Sequence, residues 1–377
     1  MATQKRRGYG EGSVRQRNDG RWECRLYLGT DPLTGKIKQR SFYGHTQKEA
    51  TDKMLEARGK ILNGEYIEPN RITVAQWMDT WFKAHVQTHV KQKTELTYQI
   101  NITNKINPAL GHIYLQRLTR DNIQLFINEL AKTLSAGTVK QVYAILHKAL
   151  EAAVVSDYIR RNVSDNVTLP RVDNTKTKTL TADEVERFCA ALPDDTIGRV
   201  LHFIALTGLR VGEACALRWS DINGDVFTVN RTVLRIKGEF VYNSPKSKSG
   251  VRTLPLPSAA KPLLDRQRKA QLQERMKCGK AWHDNDIVFA SSIGEPLFVA
   301  GIDRQMQKTL AAVGLPKYTV HDLRHAWGTN AIARGNDAKT VSTMLGHSNV
   351  GMTLNRYTHT NMDIERAVVE ADSVLRK

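Results

Sequence analysis

His321-Asp322-Leu323-Arg324-His325, then Leu345-Gly346-His347-Ser348-Asn349, then Met352-Thr353-Leu354-Asn355-Arg356-Tyr357 form the stretch around which the rest of the chain is read. Residues three apart on a helix share a face, so a helix over 321–334 sets His321 and Arg324 where both can approach one phosphate. A second helical stretch covers 338–345 and a third 350–357, which carries Tyr357 ten residues beyond His347. No other segment is so dense in groups that attack, protonate or neutralise a phosphate. The competing reading is a metal site, because His321 and His325 are four apart, as in zinc-binding helices. Asp322 stands where that motif has Glu, and no third ligand is placed nearby, so no metal or other cofactor is expected.

Two positions upstream extend the set. In Thr207-Gly208-Leu209-Arg210-Val211-Gly212-Glu213 an arginine directly follows a helix break. Its guanidinium can bind two oxygens of one phosphate at once, which a lysine cannot. Taken alone, such an arginine more often caps the preceding helix or pairs with Glu213. Pro245-Lys246-Ser247-Lys248-Ser249-Gly250 reads as a hairpin turn between strands at 240–242 and 251–256. A lysine at a hairpin tip is usually only solvated, yet it can also serve as a mobile proton donor.

The 377 residues favour two or three domains, and 56 Lys+Arg against 38 Asp+Glu leave a net charge of +18. A surplus of that size calls for a polyanionic partner, either nucleic acid or an anionic membrane surface. No apolar run approaches the ~20 residues of a membrane span, and Lys5-Arg6-Arg7 leads into glycines rather than a signal core. No membrane association is expected, and the expected location is the cytoplasm. Cys24, Cys189, Cys215 and Cys278 are widely separated and form no Cys-x-x-Cys pair, which argues against disulfides and structural zinc.

Residues 1 to about 48 hold eleven basic side chains against four acidic. Turn signals at Asn18-Asp19-Gly20 and Asp31-Pro32-Leu33-Thr34-Gly35 separate three runs, 12–17, 22–28 and 36–42, which read as an antiparallel meander. Trp22, Cys24, Leu26 and Leu28 alternate with Glu23, Arg25 and Tyr27, giving one core face and one basic face. A helix over 47–62 covers the core face. A basic sheet of this size can enter a major groove. The expected DNA contacts are Arg15, Arg17, Arg21, Arg25, Lys36, Lys38 and Arg40.

Amphipathic helices come next, over 73–86, 94–106, 121–130 and 138–155, enough for a bundle of their own. Their apolar stripes include Trp77, Met78, Trp81 and Phe82 in the first and Leu96, Ile100 and Ile106 in the second. The Trp and Phe stripe reads as core rather than as a base-stacking platform. Residues 164–179 are polar and lack periodicity, so they read as a linker whose Lys176 and Lys178 can lie along a phosphate backbone. Thr181 with Glu184 makes a capping-box signature that opens the next domain. Beyond it the chain is mixed: helices over 199–206 and 211–219, one strand over 226–236, the two strands flanking Lys246, and helices over 259–276 and 299–313. A final amphipathic helix spans 361–377.

These residues resemble the tyrosine recombinases, most closely the integrases of Gram-positive temperate phages and conjugative transposons. The resemblance covers nearly the whole chain. It rests on Thr-Gly-Leu-Arg (207–210), Pro-Lys-x-Lys-Ser-Gly (245–250), His-x-Leu-Arg-His (321–325), Leu-Gly-His (345–347) and Tyr357, in the family's order. It implies a multidomain α+β fold: a small three-stranded β module with a helix, a helical bundle, and a mixed, mainly α catalytic domain with a small antiparallel sheet. The implied boundaries are 1–65 for an arm-site DNA-binding domain, 70–165 for a core-binding domain, 166–178 for a linker and 179–377 for the catalytic domain.

The resemblance further implies a site-specific recombinase that integrates and excises a mobile element through a 3′-phosphotyrosyl intermediate. Arg210, Lys246, His321, Arg324 and His347 then surround nucleophile Tyr357. Lys246 is preferred over Lys248 as general acid, with Lys248 contacting DNA at the same turn, and Tyr357 is preferred over Tyr318. Expected partners are double-stranded core-type and arm-type attachment sites, further copies of the chain in a homotetramer on DNA, an excisionase and a host DNA-bending protein. The setting is the bacterial cytoplasm, at the nucleoid. Two rivals remain: a type IB topoisomerase, which shares the tyrosine chemistry, and a DNA-binding regulator with a degenerate catalytic domain, which would have to lack one of the six residues.

Overall fold

The computed structural model describes residues 13–30, 35–62, 69–171, 179–244, 250–346 and 351. The helices expected over 350–357 and 361–377 and the Lys246 turn lie outside the described residues, apart from Gly250 and the single helical residue Gly351. The chain divides into two compact units, Met1–Asn174 and Thr175–Lys377. No helix among the described residues is long and apolar enough to cross a membrane.

In the first unit β1 (Ser13–Gln16), β2 (Trp22–Thr30) and β3 (Ile37–Gly44) form an antiparallel meander in that order, succeeded by α1 (Gln47–Leu62). The first turn closes with the Gly20 N–H donating to the Arg17 carbonyl at 3.0 Å, and Gly20 takes a φ of 81° that favours glycine. Cys24 and Leu26 are buried with Ala50, Met54 and Ala57 of α1, as the alternation requires. The opposite face, read as basic, is organised by a carboxylate. Glu23 sits in it almost fully buried, accepting from Arg15 Nε at 2.5 Å, Ser41 Oγ at 2.6 Å and Arg25 Nε at 3.1 Å. These donors and charges, with Ser41 and Arg25 foremost, outweigh desolvation and hold the Glu23 pKa down to about 2.

Among the described residues this unit continues with the α-helices α2 (Val74–Trp81), α3 (Gln92–Asn101), α4 (Asn107–Leu110), α5 (Arg120–Thr133) and α6 (Ala136–Val155). Capping boxes at Thr73 and Thr119 start α2 and α5. Trp77, Trp81 and Phe82 are buried, and the Trp77 indole donates to the Ala149 carbonyl at 2.7 Å, which pins α2 to α6. The apolar face of the second helix differs from the expected one. A π-helical turn at Ile102–Ile106 adds a residue and rotates the phase, so Ile102 and Ile106 face the core while Ile100 is 46% exposed. The polar stretch read as linker begins as part of the bundle. Ser164 is buried and its carbonyl accepts from the Tyr143 hydroxyl at 2.9 Å, and Gln124 bonds both backbone groups of Thr168.

The second unit opens with the Thr181–Glu184 capping box on α7 (Ala182–Ala190), then α8 (Thr196–Thr207) and the single turn α9 (Val211–Ala214). The expected helix over 211–219 stops there because the chain is drawn into a bridge: Arg218 pairs with Ile287, and the Trp219 N–H donates to the Asp286 carbonyl at 2.9 Å. The strands that come next among the described residues are β4 (Ile222–Asn223), β5 (Val226–Val229), β6 (Thr232–Ile236), β7 (Glu239–Asn243) and β8 (Arg252–Pro255). They make two sheets, β4-β5-β8 and β6-β7, so two strand readings are corrected. The run 226–236 is two strands in different sheets, broken where Asp221 accepts from Asn230 at 3.2 Å and Arg231 at 2.5 Å. The strands flanking Lys246 are not a hairpin pair, since β7 pairs with β6 and β8 with β5.

Helices α10 (Ala260–Cys278), α11 (Val299–Ala312), α12 (Val320–Ala333) and α13 (Ala338–Leu345) complete the described part of this unit. Its core gathers Phe188, Phe203, Phe227 and Phe289 with the apolar faces of α8, α11 and α12. All four cysteines are free, and burial pushes the Cys189 and Cys215 thiols up to about 12, which makes them poor nucleophiles at neutral pH.

The shifted phase of α3 has a measurable consequence. Ile102→Ala is expected to destabilise the protein by about 2–4 kcal/mol. Ile100→Ala should stay within about 0.5 kcal/mol. Denaturant midpoints at equal slope measure both, and equal losses would put Ile100 in the core after all.

Candidate active site

The site starts where α8 ends. Gly208 takes the left-handed conformation at φ 66°, and its N–H donates to the Ile204 carbonyl at 2.8 Å. A Cβ there would lie 2.9 Å from the Trp327 ring, so α12 packs directly on this corner. The Trp327 indole fixes the contact by donating to the Leu206 carbonyl at 3.0 Å. Leu209 turns into the core, and Arg210 comes out extended as the N-cap of α9.

Glu213, 4% exposed, stands at the centre of an arginine cluster. It accepts from the Arg210 backbone N–H at 3.1 Å and from Arg210 Nη1 at 2.7 Å. From β8, Arg252 donates Nη2 to it at 2.9 Å and Nη1 at 3.3 Å. From α12, Arg324 Nη1 stands 3.9 Å away. Burial pushes the Glu213 carboxyl up, but the hydrogen bonds and charges of Arg252 and Arg210 outweigh it, and its pKa is lowered. The common outcome weighed for Arg210, pairing with Glu213, is therefore present, and it leaves the guanidinium 41% exposed.

The same three arginines close the C-terminus of α13. A helix end leaves backbone carbonyls without partners and carries partial negative charge. Arg252 Nε donates to the Met344 carbonyl at 2.7 Å, Arg324 Nη2 to that of Leu345, and Arg210 Nη2 to that of Gly346 at 3.3 Å. Gly346 itself is left-handed at φ 64°. Arg324 also donates Nη1 to the Gly208 carbonyl at 2.9 Å and is 1% exposed, so it is a buried strut as well as a charge.

His321 lies exposed at the start of α12, its ring 4.3 Å from that of His325 and edge-on to it. Among the described residues no group of His, Cys, Asp or Glu is arranged to hold a metal. Tyr318 is buried in the core, and desolvation, with Glu184 and Asp322, raises its pKa, so it is a poor nucleophile. The structure thus brings Arg210 and Arg324 together and places His321 on the helix that carries Arg324. Lys246, Lys248, His347, Tyr357, Lys176 and Lys178 lie outside the described residues.

Arg252 escaped the sequence reading, although a signal was present. In the alternating Arg252-Thr253-Leu254-Pro255 strand it shares parity with buried Leu254, and a charge at an inward position needs a buried partner. On the N-terminal sheet, Arg15 and Arg25 flank Glu23, Arg17 lies 5.4 Å over the Tyr43 ring, Arg21 pairs with Asp19 at 2.9 Å, and Lys36 is exposed. Arg40 is opposite Leu26 in register, which puts it on the face covered by α1; of the Lys38 side chain nothing is described.

Comparison with known proteins adds independent findings. A family profile described as "Phage integrase family" matches residues 178–363, and one described as "Phage integrase, N-terminal SAM-like domain" matches residues 73–131. A tyrosine recombinase XerC-like protein of Caldanaerobacter subterraneus subsp. tengcongensis is 30% identical over 355 residues, covering 88% of this chain and 90% of that protein. The ICEBs1 integrase of Bacillus subtilis is 26% identical, over 92% of this chain and 95% of that one. Among solved structures, the Tn1549 transposon integrase in complex with transposon right end DNA superposes with a TM-score of 0.67 at 25% identity, covering 79% of this chain and 99% of that one. A lambda integrase dimer bound to a core site matches in fold with a TM-score of 0.58 at 22% identity, covering 94% of this chain and 96% of that one.

Replacing Glu213 by Gln strands Arg252 as a buried charge and is expected to cost about 3 kcal/mol at pH 7. Because the folded pKa lies below the unfolded one, the Glu213 contribution is complete above the ordinary carboxylate range and fades as pH falls through the lowered value. Thermal unfolding of parent and E213Q across pH 3 to 8 should therefore converge at the acid end. A gap independent of pH would remove Glu213 from this role.

Proposed function

The chain belongs to the phage integrase family, and on that premise we propose how its residues divide the work of a site-specific tyrosine recombinase that integrates and excises a mobile element. Tyr357 Oη attacks the scissile phosphate, the P–O5′ bond breaks, and a 3′-phosphotyrosyl bond holds the strand until a 5′-hydroxyl of the partner strand reverses the step. Arg210 and Arg324 neutralise the non-bridging oxygens, where charge builds in the pentacovalent state. Loss of one such contact costs about 10²- to 10³-fold in rate. Arg324 reaches the phosphate by exchanging a carbonyl partner for a phosphate oxygen. Lys246 protonates the departing O5′, His321 assists ionisation of Tyr357, whose class titrates near ~10, and His347 orients the phosphate. One phosphate ester replaces another of similar energy, so no nucleotide is consumed.

The observation that carries this reading is the convergence of Arg210 and Arg324, from two separate segments, on Glu213 and the end of the helix that leads to His347. Around it we assign residues 1–65 to arm-type DNA, with Arg15 and Arg25 on the open face of the sheet. We assign 70–165 to core-type DNA, 166–178 to the linker and 179–377 to catalysis. Lambda integrase, similar in fold, has been solved as a dimer on a core site and as a tetramer on a Holliday junction. By analogy the working form of this chain is a homotetramer on DNA, in the bacterial cytoplasm, with an excisionase and a host DNA-bending protein setting direction. A type IB topoisomerase would relax plasmids lacking any attachment site, and this protein should not.

Two outcomes test the assignment. Tyr357→Phe should bind core-site DNA with parental affinity yet give no denaturation-resistant protein–DNA species on a nicked suicide substrate; any such species moves the nucleophile elsewhere. Deletion of residues 1–65 should abolish integration while cleavage of isolated core sites continues, and equal loss of both would contradict a separate arm-binding role.

A further inference from the structure

We infer that Arg252 is a positioning residue for the leaving-group side of the reaction, tying the segment that carries Lys246 to the frame that holds the phosphate-binding arginines. The inference rests on the roles proposed above for Lys246 and Tyr357. Arg252 is 8% exposed and uses all three guanidinium nitrogens. Nη1 and Nη2 grip Glu213, Nε holds the Met344 carbonyl at 2.7 Å, and Nη1 also donates to the Gly250 carbonyl at 3.1 Å. Gly250 is the last residue of the Pro245–Gly250 stretch and the point from which the chain runs into β8. One side chain thus touches the carboxylate that orients Arg210, the end of α13 just before His347, and the exit of the Lys246 segment.

Stability alone does not account for this arrangement. A buried ion pair is often no more stabilising than an apolar pair of the same volume. What a guanidinium adds is geometry, because its planar fork fixes three acceptors relative to one another, whereas a lysine ammonium is a single point charge. The acceptors come from three segments, and Arg252 is the side chain that touches all three. A proton donor must sit within about 3 Å of the oxygen it protonates. A displacement of ~1 Å in such a group can cost about 10²-fold in rate.

The test is Arg252→Lys in the full-length protein, which keeps the charge opposite Glu213 but cannot hold the Met344 and Gly250 carbonyls together. Single-turnover formation of the covalent adduct is measured on two core-site substrates, an ordinary phosphodiester and one in which sulfur replaces the bridging 5′-oxygen. With oxygen, the P–O5′ bond breaks as Lys246 delivers a proton. With sulfur, the P–S bond breaks to release a 5′-thiolate, which needs no proton because thiols titrate near ~8.5.

With core-site Kd and Tm close to the parent, R252K should cleave the oxygen substrate about 10²-fold more slowly. On the sulfur substrate it should come within about threefold of the parent, since no acid is required there. Lys246→Ala should show the same rescue, and Arg210→Ala should not. An equal defect on both substrates, or none on the oxygen substrate, overturns the inference. Should R252K fail to fold, the thermally matched pair Arg252→Gln and Arg252→Met reads the same ratio: Gln, which keeps a donor, should fall between Met and the parent on oxygen only, and identical ratios for the two overturn it. A covalent adduct formed by Tyr357→Phe on either substrate would instead sink the nucleophile assignment, so the two failures are distinct.

Discussion

The second unit is built around the problem of keeping several guanidinium groups close together. Two like charges 4 Å apart repel by about 4 kcal/mol at the effective dielectric of a protein surface. Glu213 answers with a buried carboxylate shared by Arg210 and Arg252, with Arg324 at 3.9 Å. The carbonyl end of α13 supplies the rest, with one carbonyl for each arginine. Much else in the unit is a consequence of this constraint. Gly208 must be glycine so that the α8 corner can meet Trp327, and β8 must place Arg252 inward. In the role proposed above, such a frame holds the guanidinium groups close together before the phosphate arrives, and Arg324 has only to exchange one carbonyl partner.

The N-terminal sheet uses the same device on a smaller scale. Glu23 is buried in an otherwise basic face, with Arg15 and Arg25 fixed through their Nε atoms and Ser41 filling a further lone pair. Local repulsion is relieved and the guanidinium planes are held without burying the arginines themselves, which remain 57% and 34% exposed. In both places a basic surface that is rich in arginine owes its order to a single carboxylate beneath it.

What the sequence disclosed, and what it hid, divides along the same line. Local chemistry was legible: the capping box at Thr181 starts its helix where read, and the Trp22–Leu28 alternation forms the middle strand of the meander. Features set by partners distant in the chain were not. The run 226–236 reads as one strand because Val, Phe, Thr, Leu and Ile all favour extended backbone, and only Asp221 reaching Asn230 and Arg231 breaks it. Ile100 carries the helical period correctly for an α-helix, and the π turn that shifts the period leaves no mark in composition. Arg210 and Arg324 were recognisable by their flanking residues, whereas Arg252 and Glu213 take their meaning from contacts 39 residues apart in sequence.

A site of this kind sets a limit on itself. Exchanging one phosphate ester for another changes the free energy little, so an arginine frame in the role proposed for it would accelerate cleavage and rejoining alike and could not favour integration over excision. The free-energy difference between the two directions then has to come from which DNA sites are held together, and therefore from surfaces outside the arginine frame. The net charge of +18 supplies attraction to any duplex, but that attraction is independent of sequence and screened by salt. In the proposed reading, direction depends on a module that binds other sequences without disturbing the frame; the division of the chain at Asn174–Thr175 leaves the first unit with hydrophobic cores of its own.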